Sequence, residues 1–263
     1  MAENILDIKN LSKSYYNDAG ARQIVLEDVN FQMQSNENGG SFASILAPFG
    51  SGKTTLLKIL AGLESYNGEV SLNGKRIDEP TGEIIYIPEK PSSFPWINVK
   101  QNIELPSKLY KRRGKKLQFK AEELINLVGL SGYEDFYASS SASGFQQRIA
   151  IARALSFNPK FILLDDVLKN LDTETRVKII ELLKLITGEK NTSFLLATTS
   201  MTDAILLSQK VFLMRKNPGQ IIKKFDVPKF DTFANSEIIT KYKNEIEDAF
   251  KSQGMFQSVL IYI

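Results

Sequence analysis

Apolar residues occur in short runs separated by polar turns through the first fifty positions. Residues 5–11 (ILDIKNL) and 23–33 (QIVLEDVNFQM) have the character of strands, with the polar turn NDAG at 17–20 between them. Residues 41–46 then form a compact apolar run that leads directly into a glycine-rich turn. A run of this length is typical of a buried strand. The pattern therefore predicts two strands, then a buried third strand that ends in a tight turn.

The middle of the chain changes to the spacing of helices. Residues 54–61 carry apolar side chains at helical intervals, directly after the glycine-rich turn. Residues 68–78 predict a β-hairpin with Asn73-Gly74 as its turn. The helical spacing returns from 99 to about 130, and a further helix is predicted over 145–156.

The last third alternates between the two element types. A strand at 161–165 precedes a helix near 173–187, and a second strand at 193–198 precedes a helix near 202–209. Strands that alternate with helices form a parallel sheet covered by helices. The sequence therefore predicts an α/β fold.

Composition narrows the chemistry. The net charge of +3 is too small to indicate nucleic acid as a partner. The chain has no cysteine, which excludes disulfides and thiolate metal sites, and no histidine, which removes the most frequent general base and metal ligand. No run approaches the ~20 consecutive apolar residues that a membrane-spanning helix needs. We therefore expect any work at a membrane to depend on a partner that holds the chain there.

The stretch APFGSGKTT at 47–55 is a candidate phosphate-binding loop. It follows a predicted strand and precedes a predicted helix, as the G-x-x-x-x-G-K-S/T pattern requires. Gly50 and Gly52 allow backbone N–H groups to turn toward phosphate oxygens at the start of a helix. Lys53 brings a positive charge to the β- and γ-phosphates, and the Thr54 hydroxyl can reach Mg²⁺. The sequence therefore predicts an ATP site.

Two further positions belong to this candidate site. Ala47 stands where the pattern has its first glycine; if the position needs positive φ, alanine costs on the order of 1 kcal/mol. The run FILLDD ends a predicted buried strand with Asp165, a candidate Mg²⁺ ligand, and Asp166, a candidate base for water.

These motifs resemble those of ABC transporter ATP-binding subunits from about residue 6 to about residue 222. FASILAPFGSGKTTLLKILAGL and PKFILLDDVLKNLD resemble the two nucleotide motifs of the family, and SASGFQQRIAIARAL at 141–155 resembles its signature helix. The segment KSY resembles the one whose aromatic residue stacks on adenine, which implies that role for Tyr15. The resemblance implies nucleotide contacts for the following residues: Ala47, Pro48, Phe49, Gly50, Ser51, Gly52, Lys53, Thr54, Thr55, Ser143, Gly144 and Gln146.

The resemblance also implies an architecture. This is an ABC-type P-loop NTPase core, a mostly parallel sheet flanked by helices, with an N-terminal antiparallel β subdomain and an inserted helical subdomain at about 99–155. It implies one ATP-binding domain over 1–225 and a small C-terminal appendage over 226–263.

Two stretches resemble the importers for nitrate, sulfonate and taurine in particular: YIPEKPSSFPWINVKQNI at 86–103 and NPGQII at 217–222. The resemblance implies a homodimer bound to an integral membrane permease on the cytoplasmic face, served indirectly by an external solute-binding protein. Each ATP would lie between one subunit's loop and the other's signature.

Several positions depart from the family pattern where the γ-phosphate and water would react. Glu89 replaces the glutamine that contacts Mg²⁺ and water, and Asp166 replaces the catalytic glutamate, one methylene shorter. Thr199 replaces the switch histidine. In the signature, Ala142 lacks a hydroxyl and Ser143 adds a side chain where the backbone approach is tight. By resemblance the catalytic positions are Asp166, Glu89 and Thr199, and the metal ligands are Thr54, Glu89 and Asp165.

From these departures we hypothesise tight nucleotide binding with slow hydrolysis, since misplacing a base costs on the order of 10²-fold in rate. Ordinary turnover through compensating neighbours stays open. So do a heterodimer with an intact ABC ATPase, a module that uses ATP only as a switch, and a soluble ABC ATPase acting on nucleic acid or ribosomes. The last class usually has two such domains in one chain, and one is found here.

Overall fold

The structure is a computed structural model, and it describes residues 4–18, 20–36, 39–90, 93–112, 119–138, 142–228 and 236–252. Two positions of the sequence analysis lie outside these ranges: Ser141, at the start of the signature stretch, and Pro91, in the stretch that follows Glu89. The described residues form ten strands and seven helices.

The first sheet is antiparallel and has the order β2-β1-β4-β5. Its strands are β1 (Ile5–Tyr16), β2 (Arg22–Gln34), β4 (Asn67–Leu72) and β5 (Lys75–Arg76). The predicted Asn73-Gly74 turn joins β4 to β5, with both residues at positive φ, as this two-residue hairpin requires. Both long strands bury alternate residues for much of their length, which is why the alternating pattern predicted them.

The second sheet has the order β10-β9-β3-β8-β7-β6. Its strands are β3 (Phe42–Leu46), β6 (Ile84–Ile87), β7 (Phe161–Asp165), β8 (Ser193–Thr198), β9 (Lys210–Arg215) and β10 (Gln220–Asp226). All neighbours are parallel except β9 and β10, which pair antiparallel at the edge. Every residue of β3, β7 and β8 is buried, as expected of parallel strands covered on both faces.

The helices cover this sheet or form a group beside it. Helix α1 (Lys53–Leu60) follows β3 directly and packs between the two sheets with one face of the parallel strands. Helices α2 (Val99–Arg112), α3 (Ala121–Leu127), α4 (Ser143–Leu155) and α5 (Thr173–Glu189) share a second core with the other face. A third core joins α6 (Met201–Leu207) and α7 (Ser236–Ser252) to β9 and β10.

The sequence analysis missed four elements. The strands β6, β9 and β10 are runs of four to seven residues, too short to show a decisive period. Helix α7 lies in the part predicted as an appendage, and its Ile246 and Phe250 are buried with residues of α6. The α/β prediction and the ABC-type architecture are confirmed, while the exact domain bounds stay a prediction.

Candidate nucleotide site

The loop between β3 and α1 has the backbone that the glycines were predicted to allow. Gly50 has φ 75° and Gly52 has φ 91°, both left-handed. A Cβ on Gly52 would lie 2.8 Å from Leu26 Cδ2, so a larger residue would both strain the backbone and clash. Ala47 is buried and is not among the described residues with positive φ, so its methyl group carries no such strain.

Lys53 begins α1 and turns back over this loop. Its Nζ donates to the carbonyl oxygens of Ala47 at 3.1 Å and Pro48 at 3.0 Å, and its residue is only 6% exposed. Burial lowers the pKa of Lys53, while Asp166 and then Asp165 raise it in part. A buried ammonium held by neutral carbonyls favours a bound anion.

Ser51 gives independent evidence for such an anion. Its Oγ is fully buried and has no hydrogen-bond partner among the described residues. Buried hydroxyls are almost always hydrogen-bonded, so an unsatisfied one inside a glycine-rich loop fits a ligand that supplies oxygen atoms. The N-terminus of α1 adds partly positive N–H groups at the same place. The loop therefore fits a phosphate chain.

Asp165 ends β7 and is joined to the loop by a direct contact. Its Oδ2 accepts the Thr54 hydroxyl at 2.8 Å and the Tyr86 hydroxyl at 2.9 Å, and the residue is 4% exposed. Burial and the nearby Asp165 carboxylate raise the pKa of Tyr86. The sequence analysis missed Tyr86; a hydroxyl-bearing aromatic in the short run before Glu89 was the available signal.

The Thr54 and Asp165 oxygens fit Mg²⁺, which prefers hard oxygen ligands and takes one or two carboxylates beside substrate phosphates. No cluster of three or more carboxylates with metal-binding geometry occurs in the part of the chain that the structure describes. A metal here therefore needs the phosphates as further ligands.

Asp166 and Thr199 are brought together at the ends of β7 and β8. The Thr199 amide donates to Asp166 Oδ1 at 3.2 Å, and the Asp166 amide donates to Ala197 O at 2.9 Å. Asp166 has φ 46°, a conformation that aspartate tolerates better than most residues. Burial raises the pKa of Asp166, and the positive charge of Lys53 opposes that shift.

Glu89 follows β6 and faces residues that the sequence analysis did not select. Its Oε1 lies 3.1 Å from Lys169 Nζ and accepts the Asn170 side-chain amide at 3.4 Å. Its backbone oxygen accepts Gln147 Nε2 at 3.4 Å, which connects it to α4. Glu89 therefore forms an ion pair at the edge of the site.

Tyr15 ends β1 beside helix α1. Its hydroxyl donates to Glu64, and Thr55 lies within hydrogen-bonding reach of the same hydroxyl. The Lys13 ammonium lies 4.9 Å from the centre of the Tyr15 ring. Phe49, at the tip of the phosphate loop, is 70% exposed. Two aromatic rings thus border the loop.

The signature residues lie at the start of α4, against their own chain. Ser143 Oγ donates to Asn170 O at 3.4 Å, and Gln146 Nε2 donates to Ala138 O at 3.0 Å. A Cβ on Gly144 would clash with Thr175 Cγ2, so glycine at 144 allows α4 to approach α5 closely. The order of the strands explains why the other groups meet: β3, β8, β7 and β6 are parallel neighbours, so the segments after them share one edge.

The family model described as ABC transporter matches residues 26–169. An aliphatic sulfonates import ATP-binding protein of Bacillus cereus is 34% identical over 97% of this chain and 99% of its own length. The chain belongs to the ABC transporter family. It is an ABC-type ATPase that binds ATP, and the fourfold coincidence of strand ends described above is its nucleotide site.

Other ABC proteins agree with this assignment. A taurine import ATP-binding protein of Pelagibacter ubique is 35% identical over 84% of this chain and 82% of its own length. The solved ATP-binding cassette MJ0796, a dimer in a post-hydrolysis state bound to ADP and Pi, superposes with a TM-score of 0.70 at 27% identity, over 86% of this chain and all of its own. Within the described residues, no helix combines the length and the apolar character needed to cross a membrane.

Proposed function

We propose that this chain is the ATP-binding subunit of an importer that takes up a small sulfonate, such as taurine or an aliphatic sulfonate. The relatives named for those substrates match the chain over most of its length, and this is the main support for the substrate class. The subunit would act as a peripheral protein on the cytoplasmic face, and the permease and an external solute-binding protein would select the solute.

The observation that carries ATP binding is the combination of a buried Lys53, an unsatisfied Ser51 hydroxyl and left-handed Gly50 and Gly52. In this proposal the loop from Ala47 to Thr55 encloses the phosphates. Tyr15 stacks on the base.

Asp165 and Thr54 are proposed as the protein ligands of Mg²⁺. When bound, Mg²⁺ supplies positive charge that stabilises the phosphoryl group during transfer. Asp165 Oδ2 already accepts the Thr54 hydroxyl, so the two oxygens are oriented together before any ion arrives. Glu89 remains a candidate third ligand, although its carboxylate is engaged by Lys169 in this structure.

We further propose that hydrolysis is slow. Asp166 is the proposed base, but its shorter side chain is held by the Thr199 amide and moves the carboxylate back from water. Thr199 brings a hydroxyl but no charge for the γ-phosphate. A retreat of this kind costs on the order of 10²-fold in rate.

The working assembly is proposed to be a dimer in which Ser143, Gly144 and Gln146 of one subunit face the nucleotide of the other. The dimeric MJ0796 cassette supports this arrangement. A homodimer is favoured over pairing with an intact ATPase, because this chain departs from the family pattern on both surfaces it would contribute.

An exposed aromatic patch supports a docking surface for the permease. It consists of Trp96, Phe136 and Tyr137, which are 70%, 55% and 55% exposed. A β-bridge between Asn98 and Tyr137 and a hydrogen bond from Val99 N to Phe136 O bring the two segments side by side. Exposed aromatic clusters are typical of protein interfaces.

Two measurements on the purified chain test the nucleotide part. Equilibrium binding of Mg-ATP should be lost in Lys53→Ala, and steady-state turnover should fall well below the ~10 s⁻¹ typical of enzymes. Turnover near that value would contradict slow hydrolysis while leaving ATP binding intact.

Transport requires the whole assembly. The chain, its permease and its solute-binding protein would be placed in vesicles and supplied with taurine, an alkanesulfonate or nitrate. ATP-dependent uptake of either sulfonate supports the proposal, whereas uptake of nitrate alone contradicts the substrate class. Co-purification that yields a mixed ATPase dimer would contradict the homodimer.

A further inference from the structure

The phosphate end of the site contains more negative charge than its family pattern calls for. Asp165, Asp166 and Glu89 lie at the ends of neighbouring strands, and Lys53 is the buried cation among them. Glu89 stands where the family has a neutral glutamine. An added negative charge near a triphosphate repels it unless another group compensates.

Lys169 is positioned to be that group. Its Nζ lies 3.1 Å from Glu89 Oε1 and 5.8 Å from the centre of the ring of Phe49, which belongs to the phosphate loop. Asn170 donates to the same Glu89 oxygen at 3.4 Å, which helps to fix the carboxylate. The two charges come from β6 and β7, which pair in parallel with Ile87 opposite Leu164, so both follow the same edge of the sheet.

Both charges act on the nucleotide site. Lys169 lowers the pKa of Lys53, whereas Glu89 raises the pKa of the same group. Their effects on the lysine that would bind the β- and γ-phosphates therefore oppose each other. An ion pair on a remote surface would not influence this group.

We propose that Lys169 is a positioning residue for Glu89, and that the two side chains act as one electrically neutral unit beside the terminal phosphate. The unit takes the place of the neutral amide that the family uses, so the chain retains ATP affinity despite the added carboxylate. This inference rests on the proposed binding of ATP at residues 47–55.

The test is a set of charge-removing variants of nearly constant shape. Lys169→Met leaves Glu89 unpaired, and we expect it to weaken Mg-ATP binding about tenfold through repulsion of the phosphates. Adding Glu89→Gln removes the unpaired charge, and the double variant should bind Mg-ATP within about twofold of the wild type. AMP, which lacks the terminal phosphates, should respond much less to either change.

A matched control exists at the opposite end of the same two strands. Lys160 and Glu83 precede β7 and β6 and form an ion pair of 2.5 Å, with side-chain exposures of 36% and 43% beside 32% and 38% for Lys169 and Glu89. Lys160→Met, alone or with Glu83→Gln, should leave ATP affinity unchanged. Thermal unfolding of all variants reports any loss of folding.

Three outcomes would overturn the inference. Unchanged ATP affinity in Lys169→Met would make the pair an ordinary surface contact. A double variant as weak as Lys169→Met would mean that Lys169 binds phosphate directly. An equal loss in the Lys160→Met control would mean a general effect of net charge. If the wild type itself fails to bind ATP, the proposed function fails instead, so the two failures are distinguishable.

Discussion

The Tyr86 hydroxyl donates a 2.9 Å hydrogen bond to Asp165 Oδ2, the carboxylate oxygen that also accepts the Thr54 hydroxyl. Groups that hydrogen-bond to a metal ligand orient it, and their loss typically costs about 10- to 100-fold in metal affinity. Tyr86→Phe should therefore shift the Mg²⁺ dependence of ATP binding to about tenfold higher concentration. Affinity for ATP in the presence of a chelator should not change.

Tyr66→Phe is a suitable control for this prediction. Tyr66 is also partly buried and donates to the Ile77 carbonyl at 2.7 Å. Its loss should affect the free energy of unfolding alone. If both variants alter stability equally and leave the Mg²⁺ titration unchanged, Tyr86 supports only the fold.

Chain-local chemistry was predictable from the sequence. The glycines at 50 and 52, Lys53 and Thr54 are close in sequence and follow a buried strand, so their pattern indicated a phosphate loop before the fold was known. Asp165 was also predictable, because it ends an apolar run of strand length. These predictions needed only the period of the chain and the conformational preference of glycine.

Contacts between distant segments were not predictable in this way. The Glu89–Lys169 pair joins residues 80 positions apart and exists because β6 and β7 are neighbours in the sheet. Strand β6 was itself missed, so neither its neighbour nor Tyr86 on it could be connected to Asp165. Sequence period identifies strands but does not give their order.

Asp166 gives a prediction about pH and stability. Burial raises its pKa in the folded chain, so the ionised side chain destabilises the folded state relative to the unfolded one. This cost is absent below the ordinary aspartate pKa, develops as the pH rises through the raised pKa and is complete above it. Asp166→Asn keeps an oxygen to accept the Thr199 amide and removes the charge.

We therefore expect Asp166→Asn to increase the free energy of unfolding at neutral pH. The increase should disappear in acid, below the ordinary aspartate pKa. Denaturant unfolding of the nucleotide-free chain across this pH range measures the difference. A gain that is equal at every pH would contradict the role of ionisation.

Gly144 allows α4 to pack closely on α5, since a Cβ there would clash with Thr175 Cγ2. Gly144→Ala should destabilise the nucleotide-free chain by about 1–3 kcal/mol, the usual cost of overpacking. Thr175→Ser removes the clashing methyl group and leaves the Thr175 Cβ at 3.5 Å, an ordinary contact. The double variant should recover most of the loss in denaturant unfolding; no recovery would place the cost in the backbone.

The exposed aromatic patch predicts a loss of docking without a loss of nucleotide binding. Trp96 is 70% exposed, and its ring lies 5.3 Å from that of Phe94. Trp96→Ala should weaken association with the permease by about 2 kcal/mol or more if Trp96 is an interface anchor. ATP affinity of the isolated chain should stay constant. Leu185→Ala, on α5 and 45% exposed, serves as the control; an equal effect of both changes on docking would contradict the assignment of the patch.

The departures at Asp166 and Thr199 predict a gain of function on reversal. Asp166→Glu lengthens the proposed base by one methylene, and Thr199→His adds a group that can carry positive charge toward the γ-phosphate. Together they should raise steady-state ATP turnover about 10²-fold while ATP affinity changes little. Because residue 166 has φ 46°, glutamate should cost on the order of 1 kcal/mol in unfolding free energy. Turnover that stays low in a folded double variant would mean that Ala142 and Ser143 limit the reaction, whereas wild-type turnover already near ~10 s⁻¹ would remove the premise.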